Sequence, residues 1–268
     1  MPSAGESCAA IPSTASGERP TANGLIIAAV RVTTSADWER RRGALLEALR
    51  EFARLMRRRP FDNDQGLRGV SAFALYWFIR ELAPAVVFEV GVWRGFSTWL
   101  IEQASPAAEI HSFDPLFMME HLIPRRRIGK VYRSRRARYS SQDFSCAPIG
   151  ALAAARPGAL AFFDDHQNKL PRLLQCKAAG IRDVIFDDNL AAPYTHRTLE
   201  HERAADPAAL EREVELYEVF PALWPVDLRV GDLHVQEAGM DFPVERGLRD
   251  VHRDRHWHSY VTYVRLKC

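Results

Sequence analysis

No stretch of this 268-residue chain approaches the ~18 to 20 uninterrupted apolar residues that a membrane-spanning helix requires. The apolar run at 25–32 is too short, and polar residues precede it, so neither a span nor a secretory leader is expected. Cysteine is scarce: Cys8, Cys146, Cys176 and Cys268 stand at no paired spacing. That pattern argues against a disulfide framework and a zinc motif, and it points to a reducing, cytoplasmic setting. Charge of one sign is also missing, with 36 Lys and Arg against 34 Asp and Glu and a net charge of +2. Arginine does cluster, at 40–42, 57–59, 125–127 and 133–138. No aromatic-interleaved basic surface accompanies these runs, so nucleic acid is not an expected partner. Internal repeats are absent.

Apolar residues make up 47% of the chain, enough for a full core. Residues 1–24 are rich in Ser, Ala, Pro, Gly and Thr without apolar period, and the segment to 36 reads as a disordered tail. Asp37 reads as the cap of an amphipathic helix running to about 59. Trp38, Leu45, Leu49 and Phe52 lie on one side of it and arginines on a solvated other side. Such a helix offers a face to a second copy, so a homo-oligomer is one partner state it suggests. Pro60 ends it, and 71–82 reads as an apolar helix stopped by Pro84, completing an N-terminal helical cap over 37–84.

From residue 85 to 268 the pattern is that of one α/β domain. Strands are expected near 86–90, 109–113, 137–140, 159–163 and 183–187, with helices near 97–104 and 169–179. Residues 191–225 read as a helical insertion after strand five, with Leu210, Val214, Leu216, Tyr217 and Phe220 on its apolar face. Extended segments at 227–237 and 258–266 would finish the sheet as an antiparallel pair. The expected fold is a Rossmann-like, mostly parallel, seven-stranded sheet with helices on both faces.

The richest segment begins at Val86 and runs Val87-Phe88-Glu89-Val90-Gly91-Val92-Trp93-Arg94-Gly95-Phe96-Ser97. A buried strand, a glycine turn and a helix start follow each other without a gap. That order sets backbone N–H groups and a helix N-terminus at the carboxyl end of a strand, where open α/β sheets bind nucleotide-like ligands. The next strand ends in Asp114, about 20 residues on, the acceptor a ribose diol needs. The turn lacks the third glycine of a dinucleotide site, because Ser97 stands there, and Glu89 would repel a phosphate. A ligand with ribose and a cationic amino-acid end suits this turn better, which is a description of S-adenosylmethionine.

Two further strand ends carry doubled acids, Asp164-Asp165 and Asp187-Asp188. In a parallel sheet they converge on the rim that holds Glu89 and Asp114, and their repulsion calls for a compensating charge. A hard divalent cation on oxygen ligands is one answer, with Mg²⁺ the default and Asn189 able to add an amide oxygen. The other answer is that one aspartate of each pair caps the following turn. His166 stands beside the cluster, where it would act as base toward a substrate hydroxyl. His252, His256 and His258 are interspersed with arginines and read as a loop rather than a metal tract.

These segments resemble the class I S-adenosylmethionine-dependent methyltransferases. Among these, Asp164 and the Asp187-Asp188 pair resemble the acidic positions of the metal-dependent macrolide-sugar O-methyltransferases and cephalosporin-hydroxylase-like proteins. Gly66 to Val70, Gln142-Asp143-Phe144-Ser145 and Phe162 to Asn168 also resemble uncharacterised bacterial methyltransferase-like proteins. The resemblance covers about 60–195. It implies that Glu89, Gly91, Gly95 and Ser97 hold the amino-acid part of the cofactor, Asp114 the ribose and Asp143 the adenine amino group. For Asp143 a helix cap is the competing role. Asp164, Asp187 and Asp188 would hold the metal, with Asp164 and His166 at the chemistry. The expected activity is methyl transfer to a hydroxyl of a small molecule or sugar-bearing metabolite. A non-methylating use of the same cofactor, or an inactive binding partner, is the alternative.

Overall fold

The short apolar runs pair side by side in the computed structural model, which describes residues 30–61, 63, 66–115, 131–190, 196–230, 233–256 and 258–267. Its strands are β1 (Arg31–Val32), β2 (Val86–Val90), β3 (Glu109–Phe113), β4 (Ala137–Ser140), β5 (Ala159–Phe163), β6 (Asp183–Phe186), β7 (Val214–Val219), β8 (Val226–Val230), β9 (Leu233–Glu237) and β10 (Thr262–Leu266). One sheet has the order β1-β7-β10-β6-β5-β2-β3-β4, and β8 pairs with β9 apart from it. β2 to β6 run parallel, whereas β10 is antiparallel to both β6 and β7.

Nine helices are described: α1 (Ser35–Arg40), α2 (Arg42–Met56), α3 (Gly69–Leu82), α4 (Phe96–Ala104), α5 (Ile149–Ala154), α6 (Lys169–Ala178), α7 (Leu199–Ala205), α8 (Pro207–Glu213) and α9 (Arg249–Arg253). They cover both faces of the sheet. Val87, Ile110, Leu160 and Phe162 face a cluster with Leu49, Phe52, Phe73 and Leu100, whereas Val86, Phe88, Ala161 and Phe163 face one with Ile149, Leu173 and Leu199. This division is why the central strands are continuously apolar: alternate residues meet different helix layers, and both layers are dry.

The amino-terminal segment departs from the expectation. Thr34, not Asp37, is the N-cap; Asp37 closes a capping box by accepting from the Thr34 N–H at 2.8 Å. The helix then breaks at Arg41 and restarts. Leu45, Leu49 and Phe52 are buried, each contributing about 1.5–3 kcal/mol by burial. The arginine side is not simply solvated: Arg42 donates to the Asp241 carbonyl at 2.8 Å, Arg50 pairs with Glu245, and Arg57 donates to the Gly247 carbonyl at 3.2 Å. Both sides of α2 are thus engaged within the chain. Residues 31–32, inside the stretch read as tail, pair with β7, and residues 1–29 lie outside the described residues.

The insertion also differs. Residues 199–213 are helical, but 214–219 form β7, and it is β7 with β10 that makes the antiparallel finish. Val214, Tyr217 and Phe220 fit a helical face or a strand equally well, and pairing with β10 decides between them. The 227–237 segment becomes the β8–β9 hairpin, with Leu228 and Val235 packing on Tyr260 and Leu190. The sheet therefore has eight strands: six stand where expected, and β7, read as helix, and β1, read as tail, are added to them. Cys176 is a buried free thiol, whereas Cys146 is disulfide-bonded, which its spacing did not indicate. No described helix is long and apolar enough to cross a membrane.

At Gly95 the backbone has φ +82°, and a Cβ would overlap the Tyr132 carbonyl oxygen. Gly95→Ala is expected to lower stability by about 2–4 kcal/mol in urea unfolding. Gly43→Ala, in α2 with nothing within 4 Å of the new methyl, is the control and should be neutral or stabilising by up to about 1 kcal/mol.

Candidate active site

The parallel ladder runs one residue beyond the strand ends. Gly91 N–H donates to the Phe113 carbonyl at 2.9 Å, Asp114 N–H to Ser140 at 3.0 Å, Asp164 N–H to Val90 at 2.8 Å and Asp187 N–H to Phe163 at 2.9 Å. These bonds set Gly91, Asp114, Asp164 and Asp187 along one lip of the sheet. A cleft of about 670 Å³ opens there, lined by all four together with Gly66, Leu67, Arg68, Ser71, Gln142, Asp143, Phe144, Asp165, His166, Asp188 and Ser259, among others. That volume is in the range of small-molecule and cofactor sites. Gly91, at φ +89°, is required by packing, since a Cβ there would overlap the Asp164 carbonyl.

Most of the acids on the lip have an identified partner. Asp114 Oδ2 accepts from the Val92 and Trp93 N–H groups at 2.8 and 3.0 Å, so it closes the glycine turn from the next strand. Asp143 caps the 3₁₀ turn Phe144–Cys146 through Ser145 and meets Arg172 as a fork, at 3.0 and 2.8 Å. The Arg172 guanidinium holds the Asp143 carboxyl well below the usual carboxylate range. Arg172 also donates to Asp165 at 2.8 Å, so one buried guanidinium joins two strand ends. Ser259 Oγ donates to Asp187, and the Ser259 N–H donates to Ser71 Oγ at 2.9 Å.

Asp164, His166 and Asp188 remain. One ligand atom from each lies within 4.8 Å of the others. His166 Nε2 is 3.1 Å from Asp188 Oδ2, and this bond raises the imidazole above its ordinary pKa. Burial, then the charges of Asp187 and Asp188, push Asp164 well up. Burial, then Asp188, push Asp187 up to about 7. His166 and Asp188 both have left-handed backbones, at φ +54° and +51°, as does Trp93 on the same cleft at +48°. Such conformations in non-glycine residues cost about 1–3 kcal/mol each and collect at functional sites. The donor set of carboxylate oxygens with one imidazole suits a divalent cation, and the carboxyls raised by mutual charge are those a cation would relieve.

The structure rearranges the expected set. Asp187 is held by Ser259 and is not among the three groups that converge, so His166 takes its place beside Asp164 and Asp188. Asn189 contributes no ligand: it donates to Tyr217 and Thr262 at 2.6 and 2.9 Å and accepts from the Leu199 N–H at 2.8 Å, locking three segments together. Glu89, Gly95 and Ser97 do not line the cleft. Glu89 is buried behind it, accepts from Ser112 and Thr98 at 2.6 and 2.7 Å, and is pushed up in pKa by burial. His258 is likewise buried, down to about 4, and His252 packs edge-on against Trp224. Arg125–Arg127 lie outside the described residues. Sequence reading missed Arg172, Ser259 and His196, whose ring lies edge-on to His166 at 5.7 Å. No spacing signal marks any of them, because each comes from a different element.

No family model and no curated protein matches the sequence. Several solved structures do match in part. Apo CmcI is 12% identical over 55% of this chain with a TM-score of 0.39. An S-adenosylmethionine-dependent O-methyltransferase from Thermotoga maritima is 9% identical, with 82% of this chain and 71% of that one covered and a TM-score of 0.41. TomG from Streptomyces achromogenes, an O-methyltransferase of tomaymycin synthesis in complex with S-adenosylmethionine, is 13% identical, with 83% and 88% covered and a TM-score of 0.38. The chain spans 63% of the length of CmcI. At such values the activity rests on the chemistry of the cleft itself.

Arg172→Met leaves Asp143 and Asp165 without their cation and is expected to destabilise by about 3 kcal/mol in urea unfolding. Asp143, its pKa depressed in the fold, stabilises fully above the unfolded carboxyl pKa and loses that contribution as pH falls toward its folded value. The variant should therefore show a flatter loss of stability below about pH 4 than the wild type, read by unfolding at successive pH values.

Proposed function

We propose that this protein is an S-adenosylmethionine-dependent methyltransferase acting on a hydroxyl of a small molecule or sugar-bearing metabolite, with a divalent cation, Mg²⁺ by default, at the acidic cluster. The cleft's charge carries the reading. Asp114, Asp143, Asp164, Asp165, Asp187 and Asp188 line it against Arg68, Arg172 and His166, and Arg172 is already engaged by two carboxylates. Phosphates would be repelled from such a lip, whereas a sulfonium, a ribose diol and an adenine amino group are complemented by it.

Bound there, S-adenosylmethionine supplies a methyl group activated by its sulfonium. Asp114, oriented by two turn amides, accepts from the ribose hydroxyls. Asp143 faces the adenine amino group while fixed by Arg172. Gly91 offers its backbone to the amino-acid end, and Glu89, Gly95 and Ser97 shape the turn from behind rather than touching the ligand. Asp164 and Asp188 would hold the cation, whose positive charge would lower the pKa of an acceptor hydroxyl beside it. His166, exposed at the mouth and oriented by Asp188, takes that proton. Displacement at the methyl carbon then needs mainly alignment of the acceptor oxygen, which positioning provides.

Calorimetry with S-adenosylhomocysteine tests the cofactor: the wild type should bind, and Asp114→Ala should weaken binding at least about tenfold, a loss of two good hydrogen bonds. Absence of binding by the folded wild type removes the reading. His166→Asn separates two roles. As base, the variant should lose about 10²-fold or more in kcat with Mn²⁺ affinity retained; a fall in Mn²⁺ affinity instead makes His166 a ligand.

A further inference from the structure

Lys169 opens α6, three residues after His166, and its side chain is fully buried. Its backbone N–H donates to the Arg197 carbonyl at 3.0 Å, which fixes the start of the helix. The ammonium, however, has no hydrogen-bond partner among the described residues. It lies 5.5 Å from the centre of the Phe186 ring, and Phe186 is the residue immediately before Asp187. A buried cation with no partner is among the costliest arrangements in a protein unless opposite charge stands near. Opposite charge does stand near: Phe186 leads directly into Asp187 and stacks on Phe163, which leads into Asp164, so the ammonium sits beside the ends of both strands that carry these acids.

We infer that Lys169 is a positioning residue, a permanent internal counter-ion seated behind the acidic lip. The charge tally supports this. Arg172 offsets one charge of the Asp143 and Asp165 pair, and Asp114 accepts from two turn amides. Fully ionised, Asp164, Asp187 and Asp188 would carry three negative charges; a divalent cation would offset two of them and Lys169 the third. The ammonium does not line the cleft. It acts through Asp164 and Asp187, letting the lip exist in the metal-free fold and limiting how tightly the lip grips a cation. The metal arm of this inference rests on the function proposed above; the counter-ion arm does not.

The test is a double-mutant cycle on the full chain with Lys169→Met and Asp187→Asn, since Asp187 is held by Ser259 rather than in the converging trio. In EDTA, Lys169→Met should lower Tm by about 4 °C or more, and adding Asp187→Asn should restore part of that loss. Additive losses overturn the counter-ion. If Lys169→Met alone does not fold, recovery of the fold in the double variant supports the inference, and an unfolded double variant overturns it. Where the wild type binds Mn²⁺, Lys169→Met should bind it about tenfold tighter or more in titration calorimetry, a change that a packing role would not produce. Unchanged or weaker Mn²⁺ affinity overturns the inference. A wild type that binds no Mn²⁺ defeats the metal reading alone, because the coupling in EDTA is measured without any ion.

Discussion

Carboxylates gathered on one edge of a sheet can coexist only if each meets positive potential of its own. This constraint organises the region around the cleft. Peptide N–H dipoles serve Asp114, a forked guanidinium serves Asp143 and Asp165 together, and a hydroxyl serves Asp187. Asp188 is left with the His166 imidazole, and Asp164 with the charge of the buried Lys169 ammonium. The two least compensated acids are thus the two that face each other across the ends of β5 and β6. Function is read from that remainder, since a fully neutralised lip would have no work left for a ligand to do.

The partners come from far apart in the chain. Arg172 reaches back from α6 to the turn after β4, and Ser259 reaches across from the approach to β10. The lip is therefore stable only when the helices behind it are docked, and the chemistry depends on both apolar layers. Strain points the same way: His166 and Asp188 hold left-handed backbones that a relaxed loop would abandon.

What the sequence made legible follows from the range of the forces involved. Of the five parallel strands, β2, β5 and β6 were readable as short, mostly apolar runs bounded by turn residues, and the carboxyl ends of parallel strands must share an edge. Asp114 and Asp164 were readable because they follow β3 and β5 directly, and Asp143 and Asp188 because they lie two or three residues beyond β4 and β6. The fate of Glu89 was not: it points to the face covered by α4, and only the position of Thr98 and Ser112 shows that one of its carboxylate oxygens is bonded there. β7 was read as helix because Val214, Tyr217 and Phe220 satisfy either period, and its strand partner lies more than forty residues later. Lys169 and Arg172 carry no signal in the sequence that sets them apart from other helix cations. Their burial is decided by how α6 packs on Phe163 and Phe186, which no local pattern encodes.

The placement of β10 has a consequence for assembly. It is inserted between β6 and β7, and the β1–β7 edge joins the rest of the sheet only through it. While the chain is being synthesised, the five parallel strands can register as soon as β6 has emerged. The other edge has nothing to pair with until residues 262–266 follow, so β7 spends that interval with an unpaired margin. Completion of the sheet is a late, long-range closure, in which β10 acts as the keystone between two groups of strands that pair with it and not with each other.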